Sequence, residues 1–297
     1  MNQGAPLVLC WQLFDSRETE QGADLGANLR EKRMAQQQRV AVVTGGASGI
    51  GEATVRRLAA DGYDLAIIDR NITDAKAVAA SLATGGRRAL AYSCDVADAA
   101  AVDRVAAEVA ADLGPAAVLV TSAGLIPNTE SILDMDMAAH ERMWAVNYGG
   151  TLHACRAFAR QMIPARHGAI VTIGSINSVL PLPIPAYNIG KAAVVRLTQL
   201  LAVELGRHNI RVNSVGPTYV MTPPLKAKVA AGERDMAKIM AVHALPTLPV
   251  PADIADAVAF LCSQQARSIT GVLLPVDAGW QSAVSYRSYA GGVPWSE

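Results

Sequence analysis

The sequence predicts an α/β fold, a doubly wound parallel sheet in a single domain with helices on both faces. Three observations lead there. From Arg39 onward, short apolar runs alternate with helical patterns, the signature of successive βαβ units. The runs are almost continuously Val, Ile, Leu and Ala, as strands buried on both faces require. No internal repeat, linker or change of composition interrupts the alternation. The right-handed crossover rule then leaves an open sheet as the simplest topology.

In order, RVAVVT (Arg39–Thr44) reads as the first strand, rich in β-branched residues. GIGEATVRRLAADG is a helix stopped by Gly62, DLAIIDR the second strand, and TDAKAVAASLATGG a helix stopped by two glycines. RALAYSCDV, DAAAVDRVAAEVAADLG and AAVLVTSAG follow as strand, helix and strand. MAAHERMWAVNYGGTLHACRAFARQMI reads as one long helical stretch, GAIVTIGS as the fifth strand, PAYNIGKAAVVRLTQLLAVELG as a long helix and IRVNSVGP as the sixth strand. Residues 218–250 are less regular. PADIADAVAFLCS is a helix with Pro251 in its first turn, and GVLLPVDAG the last strand.

Residues 1–38 differ. A short apolar patch precedes a charged, Gln-rich run without strand or strong helix periodicity, which predicts a flexible extension before a catalytic unit of residues 39–297. Met34 is a second candidate for the natural start. PLVLCWQLF lacks the basic flank and cleavage site of a signal peptide.

The chain has 297 residues, enough for a large core, and 51% of them are hydrophobic. Lys+Arg and Asp+Glu both number 26, which argues against nucleic acid or an acidic membrane as the main partner. No apolar run approaches the length that spans a bilayer. Cys10, Cys94, Cys155 and Cys262 are far apart, so zinc and a disulfide framework are disfavoured and a reducing cytoplasm fits. His140, His153, His167, His208 and His243 lack metal-ligand spacing and read as surface or packing residues.

TGGASGIG (Thr44–Gly51) lies directly between the first strand and the first helix. Glycines there allow a tight turn and close approach to a pyrophosphate, while the helix N-terminus offers free N–H groups and a positive dipole end. That context makes Thr44, Gly45, Ser48, Gly49, Ile50 and Gly51 candidates for a dinucleotide site of Rossmann type. Asp69 ends the second strand, eighteen positions after Gly51, where an acid bonds the adenosine ribose hydroxyls. A carboxylate there repels a 2′-phosphate, so NAD(H) is favoured. Arg70 softens the preference and leaves NADP(H) open.

Tyr187 and Lys191 in AYNIGK fall on one helix face, because positions i and i+4 are neighbours. A cation beside a phenol lowers its pKa. At about 5 Å and an effective dielectric of about 20 the gain is on the order of 3 kcal/mol. The pair alone is a weak motif.

Taken together, the motifs resemble the short-chain dehydrogenase/reductase family from about Arg39 to about Ser282. The glycine motif is carried by Thr44, Gly45, Gly49 and Gly51. Asp95 and Val96 match the family's Asp-Val, which implies a place beside the adenine. Ser122-Ala123-Gly124 stands where the family has Asn-Ala-Gly, and the exchange is expected to alter a sheet hydrogen bond rather than the chemistry. Asn147, Ser175, Tyr187 and Lys191 match the active-site positions, with Ser178 a rival serine. Pro217-Thr218 replaces Pro-Gly, Asp277-Ala278-Gly279 replaces Asp-Gly-Gly, and Val220 and Thr222 fall where the family holds the nicotinamide carboxamide.

The resemblance implies that Tyr187 is the general acid/base for an alcohol–ketone pair. Lys191 lowers its pKa and binds the nicotinamide ribose, Ser175 orients the substrate oxygen, and Asn147 holds a water that relays protons. It implies a substrate lid over about 218–250 and a homotetramer or homodimer packed through the helices that carry Tyr187 and Asn147. SINSVLPLP and PVDAGW resemble members acting on polyols and other small secondary alcohols. Two other functions remain in view: an NADPH-dependent 3-oxoacyl thioester reductase, disfavoured by Asp69, and a non-catalytic nucleotide sensor, disfavoured by the intact Ser175, Tyr187 and Lys191. In the tail, Trp295 is a candidate to reach a neighbour's site, against the alternative of a surface tail.

Overall fold

The computed structural model describes residues 39–82, 87–126 and 129–294. The N-terminal extension, the glycine pair after the second helix, and Trp295 lie outside them. The described residues belong to one compact unit, Arg39–Glu297.

Seven strands form one parallel sheet in the order β3-β2-β1-β4-β5-β6-β7. They are β1 (Val40–Thr44), β2 (Asp64–Asp69), β3 (Ala89–Ser93), β4 (Ala116–Thr121), β5 (Gly168–Ile173), β6 (Ile210–Pro217) and β7 (Leu273–Val276). Alternate residues of each strand supply opposite faces. Val40, Val42, Ala66 and Ile68 enter one core cluster with Phe158, Met162 and Leu205, whereas Ala41, Val43, Leu65 and Ile67 enter the other with Val55, Leu58 and Ile254. Each such aliphatic or aromatic side chain contributes about 1.5–3 kcal/mol when fully buried.

The first layer of helices comprises α3 (Ala99–Asp112), α5 (Gly150–Ala165) and α6 (Pro185–Gly206), with the short α4 (Met137–Trp144) preceding α5 outside that core cluster; the second comprises α1 (Gly49–Ala60), α2 (Ile72–Leu82) and α9 (Pro251–Cys262). The long helical stretch expected over residues 137–163 is interrupted by a π-helical segment at Ala145–Gly149, which contains Asn147. Residues 218–250 contain two short helices, α7 (Pro223–Ala230) and α8 (Met236–Ala241), and the tail begins with α10 (Trp280–Arg287). None of these three was apparent in the sequence pattern. Helix α7 buries no residue and α8 buries only Ile239, so no apolar stripe marks either one.

Strands β1 and β4 are neighbours, yet the chain leaves β1 toward β2 on one side and β4 toward β5 on the other. Their following loops diverge and open a crevice at the carboxyl edge of the sheet, where a ligand settles in such folds.

Candidate active site

The crevice is a cleft of about 320 Å³. Its floor is the β1–α1 loop. Gly45 has φ +69°, and a Cβ there would sit 2.6 Å from the Ala123 nitrogen. A Cβ on Gly51 would sit 2.0 Å from the Gly45 carbonyl oxygen. Side chains at these two positions would close the loop against itself. Ser48 precedes α1 in an extended conformation and its side chain makes no capping bond, so the first-turn N–H groups face the cleft free of a side-chain cap. The Thr44 hydroxyl accepts from the Ala123 N–H at 3.4 Å and ties the two loops of the crevice.

The Asp69 carboxylate is held in the same loop system, accepting from the Ala47 N–H at 3.1 Å and the Asn71 N–H at 2.9 Å. Arg70, Asp95 and Val96 line the same end of the cleft. Asp95 accepts from the Ala97 N–H at 3.0 Å and pairs with the Arg142 guanidinium at 2.7 Å. These two bonds, the backbone one first, hold its carboxyl below the ordinary carboxylate range. A glycine cradle that any Cβ would fill, an uncapped helix N-terminus and a fixed carboxylate fit the pyrophosphate and ribose of a dinucleotide.

The other wall carries Ile173, Tyr187 and Lys191. Ser175 follows β5, is 5% exposed, and caps the short 3₁₀ turn Ile176–Ser178 by accepting from the Asn177 N–H at 3.1 Å. The Ser175 hydroxyl also hydrogen-bonds the Tyr187 phenol. The rival Ser178 directs its hydroxyl to the Lys191 carbonyl, donating at 3.0 Å. Helix α6 starts with Pro185 in its first turn, which fixes the entry of Tyr187. One turn on, the buried Lys191 ammonium donates to the Ile173 carbonyl at 2.6 Å and stands 5.6 Å from the centre of the Tyr187 ring.

The electrostatics differ from the sequence expectation. Lys191 was expected to depress the Tyr187 pKa; in the protein, burial raises it, and the Ser175 bond lowers it only in part. Burial also pulls Lys191 down to about 8. Desolvation disfavours both charged forms, a cost that a Coulomb energy at an effective dielectric of about 20 leaves out.

Asn147 is 1% exposed in the π-helical segment. Its amide is used at both ends, accepting from the Leu125 N–H at 2.7 Å and donating to the Leu125 carbonyl at 3.1 Å. It therefore braces the loop Ser122–Leu125, whose Ser122, Ala123 and Gly124 line the cleft. The Ser122 N–H bonds the Thr44 carbonyl at 3.1 Å.

Thr222 and Pro224 cover the mouth, with Val220 buried behind them and Pro217 closing β6. Thr218 bonds Nε2 of the buried His243 at 2.8 Å, while Nδ1 of His243 donates to the Ile239 carbonyl at 2.6 Å. Trp280 stacks on Tyr219 at 5.4 Å and tilts against His243 at 5.2 Å. The Ala278 carbonyl accepts from both Ala244 and Leu245 N–H groups at 3.0 Å. The family departures at 218 and 278 therefore both lie where residues 218–250 are fastened to the sheet.

Sequence reasoning missed Arg142, Leu125, Ile126, Cys94 and Pro224, which also line the cleft. For Arg142 the available signal was its place one helical turn before Val146, another lining residue; its partner Asp95 is distant in sequence.

A family model described as enoyl-(acyl carrier protein) reductase matches residues 45–281. Galactitol 2-dehydrogenase of Rhizobium johnstonii is 40% identical over 243 residues, covering 81% of this chain and 94% of that one. D-threitol dehydrogenase of Mycolicibacterium smegmatis is 39% identical over 252 residues, covering 82% and 92%. The crystal structure of an NAD⁺-bound xylitol dehydrogenase superposes with a TM-score of 0.76 at 30% identity, covering 81% of this chain and 98% of that one.

Proposed function

This chain belongs to the short-chain dehydrogenase/reductase family, and from that membership we propose an NAD-dependent dehydrogenase that interconverts a secondary alcohol of polyol type and its ketone. The broader class, an oxidoreductase acting on CH–OH with a nicotinamide cofactor, follows from the family and its alcohol dehydrogenases. The placement of Tyr187 and Lys191 on one wall of the cleft, with the buried Ser175 hydroxyl against the Tyr187 phenol, carries the chemical reading. The galactitol, threitol and xylitol enzymes support a polyol. Asp69 supports NAD(H), because its fixed carboxylate suits ribose hydroxyls and repels a phosphate.

In this reading the β1–α1 loop, with Thr44, Gly45, Ser48, Gly49, Ile50 and Gly51, holds the pyrophosphate. Asp69 holds the adenosine ribose, with Arg70 at its rim. Asp95 and Val96 flank the adenine. Ser122, Ala123 and Gly124 back the middle of the cofactor, and Pro217, Val220 and Thr222 border the carboxamide. Nicotinamide, when bound, gives or takes the hydride.

The protein supplies the proton chemistry. The Tyr187 phenol donates a proton to the forming alkoxide in reduction and removes it from the alcohol in oxidation. Burial disfavours the phenolate and so favours the protonated phenol, the state reduction needs. Ser175 orients the substrate oxygen and stabilises its developing charge. Lys191, fixed on the Ile173 carbonyl, holds the nicotinamide ribose and feeds protons toward Tyr187. Asn147 positions the relay between Lys191 and solvent, its side chain anchored on Leu125.

The assignment extends to the whole chain: residues 1–38 as an extension, 39–297 as the catalytic unit, and 218–250 as the substrate lid. Exposed Leu200 and Val203 on α6 support assembly as a homotetramer or homodimer. Cys94, Cys155 and Cys262 are buried free thiols, which supports a reducing cytoplasm. No helix among the described residues is long and apolar enough to cross a membrane.

The test is turnover of purified protein with NAD⁺ and NADP⁺ separately, across sugar alcohols, simple secondary alcohols, hydroxy acids and 3-hydroxyacyl thioesters. The absorbance of reduced nicotinamide reports the rate. Turnover with NAD⁺ and a polyol is the expected result. Turnover with NADP⁺ and an acyl thioester alone would replace it with the reductase reading.

A further inference from the structure

At the opposite edge of the sheet from the cleft, the first residues of β1, β4, β5 and β6 surround a second cavity of about 80 Å³. Its walls carry three guanidinium groups and an imidazole, Arg39, Arg211, Arg267 and His167, and none of its described lining residues is a carboxylate. Two of the cations are partly engaged. Arg211 donates to the Leu261 carbonyl at 2.6 Å and the Ser263 carbonyl at 3.1 Å, closing the C-terminal end of α9. Arg39 lies 4.6 Å over the Tyr63 ring and reaches the Asp61 carbonyl at 3.3 Å.

The Arg267 and His167 side chains make no hydrogen bond or ion pair among the described residues, Arg267 bonding only through its backbone N–H to the Gln264 carbonyl at 3.1 Å. The Asp61 carboxylate acts on Tyr63 and Cys262 from a distance but is paired with Arg57 at 3.4 Å. Arg39 and Arg211, after burial, hold the His167 pKa below its ordinary value, so their fields converge in the cavity. Uncompensated positive charge in a half-enclosed concavity attracts an anion, and guanidinium forks match the geometry of phosphate oxygens.

We propose that this cavity binds a small tetrahedral oxyanion, inorganic phosphate or the phosphate group of a monoester, between Arg267, Arg39 and His167. Its volume suits one such group rather than a nucleotide. It lies across the length of the strands from the nicotinamide cleft, so occupancy acts on stability and leaves the basal reaction intact. The site is independent of the dehydrogenase assignment.

Differential scanning calorimetry of the full chain, with sodium phosphate against sodium chloride at equal ionic strength, tests the proposal. A saturable rise in melting temperature of about 3 °C at ten times Kd is expected. Arg267→Ala, at an exposed position, abolishes the rise and leaves alcohol turnover unchanged. In parallel, NMR titration of His167 shows its pKa moving upward with phosphate, because a bound anion favours the imidazolium. Glycerol phosphate in place of phosphate separates the sources: comparable binding assigns the site to a monoester, and binding of inorganic phosphate alone assigns it to the free ion. Absence of a saturable shift, persistence of the shift in Arg267→Ala, or a His167 pKa indifferent to phosphate would overturn the proposal. The His167 titration needs no variant, so it decides the matter even if Arg267→Ala fails to fold.

Discussion

Residues 168–206 and residues 218–250 both border the cleft, but they are held there differently. The first stretch runs as a fully buried strand, a serine-capped turn and a long helix, with Ser175 and Lys191 buried and each fixed by a backbone hydrogen bond. The second contains two short helices with one buried residue between them, fastened through Thr218, His243 and the Ala278 carbonyl. Proton transfer needs atoms fixed to a fraction of an ångström, and a packed strand–helix unit supplies that. The lid role proposed for residues 218–250 needs a segment whose local opening costs little, and a few fastening bonds suit that role.

The most severe break of this contrast is Tyr187→Phe. It removes the group proposed to transfer the proton and leaves the packing, so kcat is expected to fall about 10³-fold with nucleotide affinity retained. Steady-state rates and a binding titration check it, and a mutant with most of its kcat would remove Tyr187 from the role assigned to it.

Thr218→Val acts on the other stretch. It leaves Nε2 of the buried His243 without its donor, a cost of about 1–3 kcal/mol. The expected outcome is a KM for substrate raised about tenfold with kcat nearly unchanged, and faster tryptic cleavage at Lys226, Lys228, Arg234 and Lys238. Thr218→Ser restores both. Unchanged cleavage and KM would mean that the bond does not hold this segment.

Lys191→Met sharpens the comparison from the stability side. Burial holds the ammonium at about 8 against an ordinary 10.5, so the folded protein binds this proton less tightly than the unfolded chain. The penalty, on the order of 3 kcal/mol, is full below pH 8 and disappears as pH rises from about 8 to 10.5. The methionine variant is therefore expected to be more stable than wild type at pH 7, by about 1–2 kcal/mol after loss of the bond to the Ile173 carbonyl. The difference closes over that pH window in denaturant titrations. A variant that is less stable at pH 7 would refute the idea that burying the Lys191 ammonium costs the fold stability.

The smallest effect belongs to Ala278→Gly. Ala278 has φ +50°, a left-handed conformation that costs a residue with a Cβ about 1 kcal/mol relative to glycine. Thermal unfolding is expected to show a gain of about that size, with the anchoring carbonyl kept.

Legibility in the sequence followed the same division. Strands β1, β2, β4 and β5 and helices α1, α6 and α9 were evident because their burial is nearly continuous or periodic, and burial writes itself into apolar pattern. Helices α7, α8 and α10 were not, because they bury too little to impose one. Tyr187 and Lys191 could be placed on one face from their spacing. The choice of Ser175 over Ser178 needed the hydroxyl directions, and the pairing of Arg142 with Asp95 joins residues 47 positions apart.

The sequence by itself determined the order of strands and helices, the glycine turn before α1, the acid at the end of β2 and the tyrosine–lysine spacing, because each of these depends on neighbours a few residues apart. Only the tertiary structure decided how deeply the lysine and tyrosine are buried, and with that the direction of their pKa shifts. It also decided the engagement of Asn147 with Leu125, the Thr218–His243 bond, and the gathering of four basic groups at the far edge of the sheet. Each of these rests on distances between segments remote in sequence and on the water that packing excludes between them, which no local pattern records.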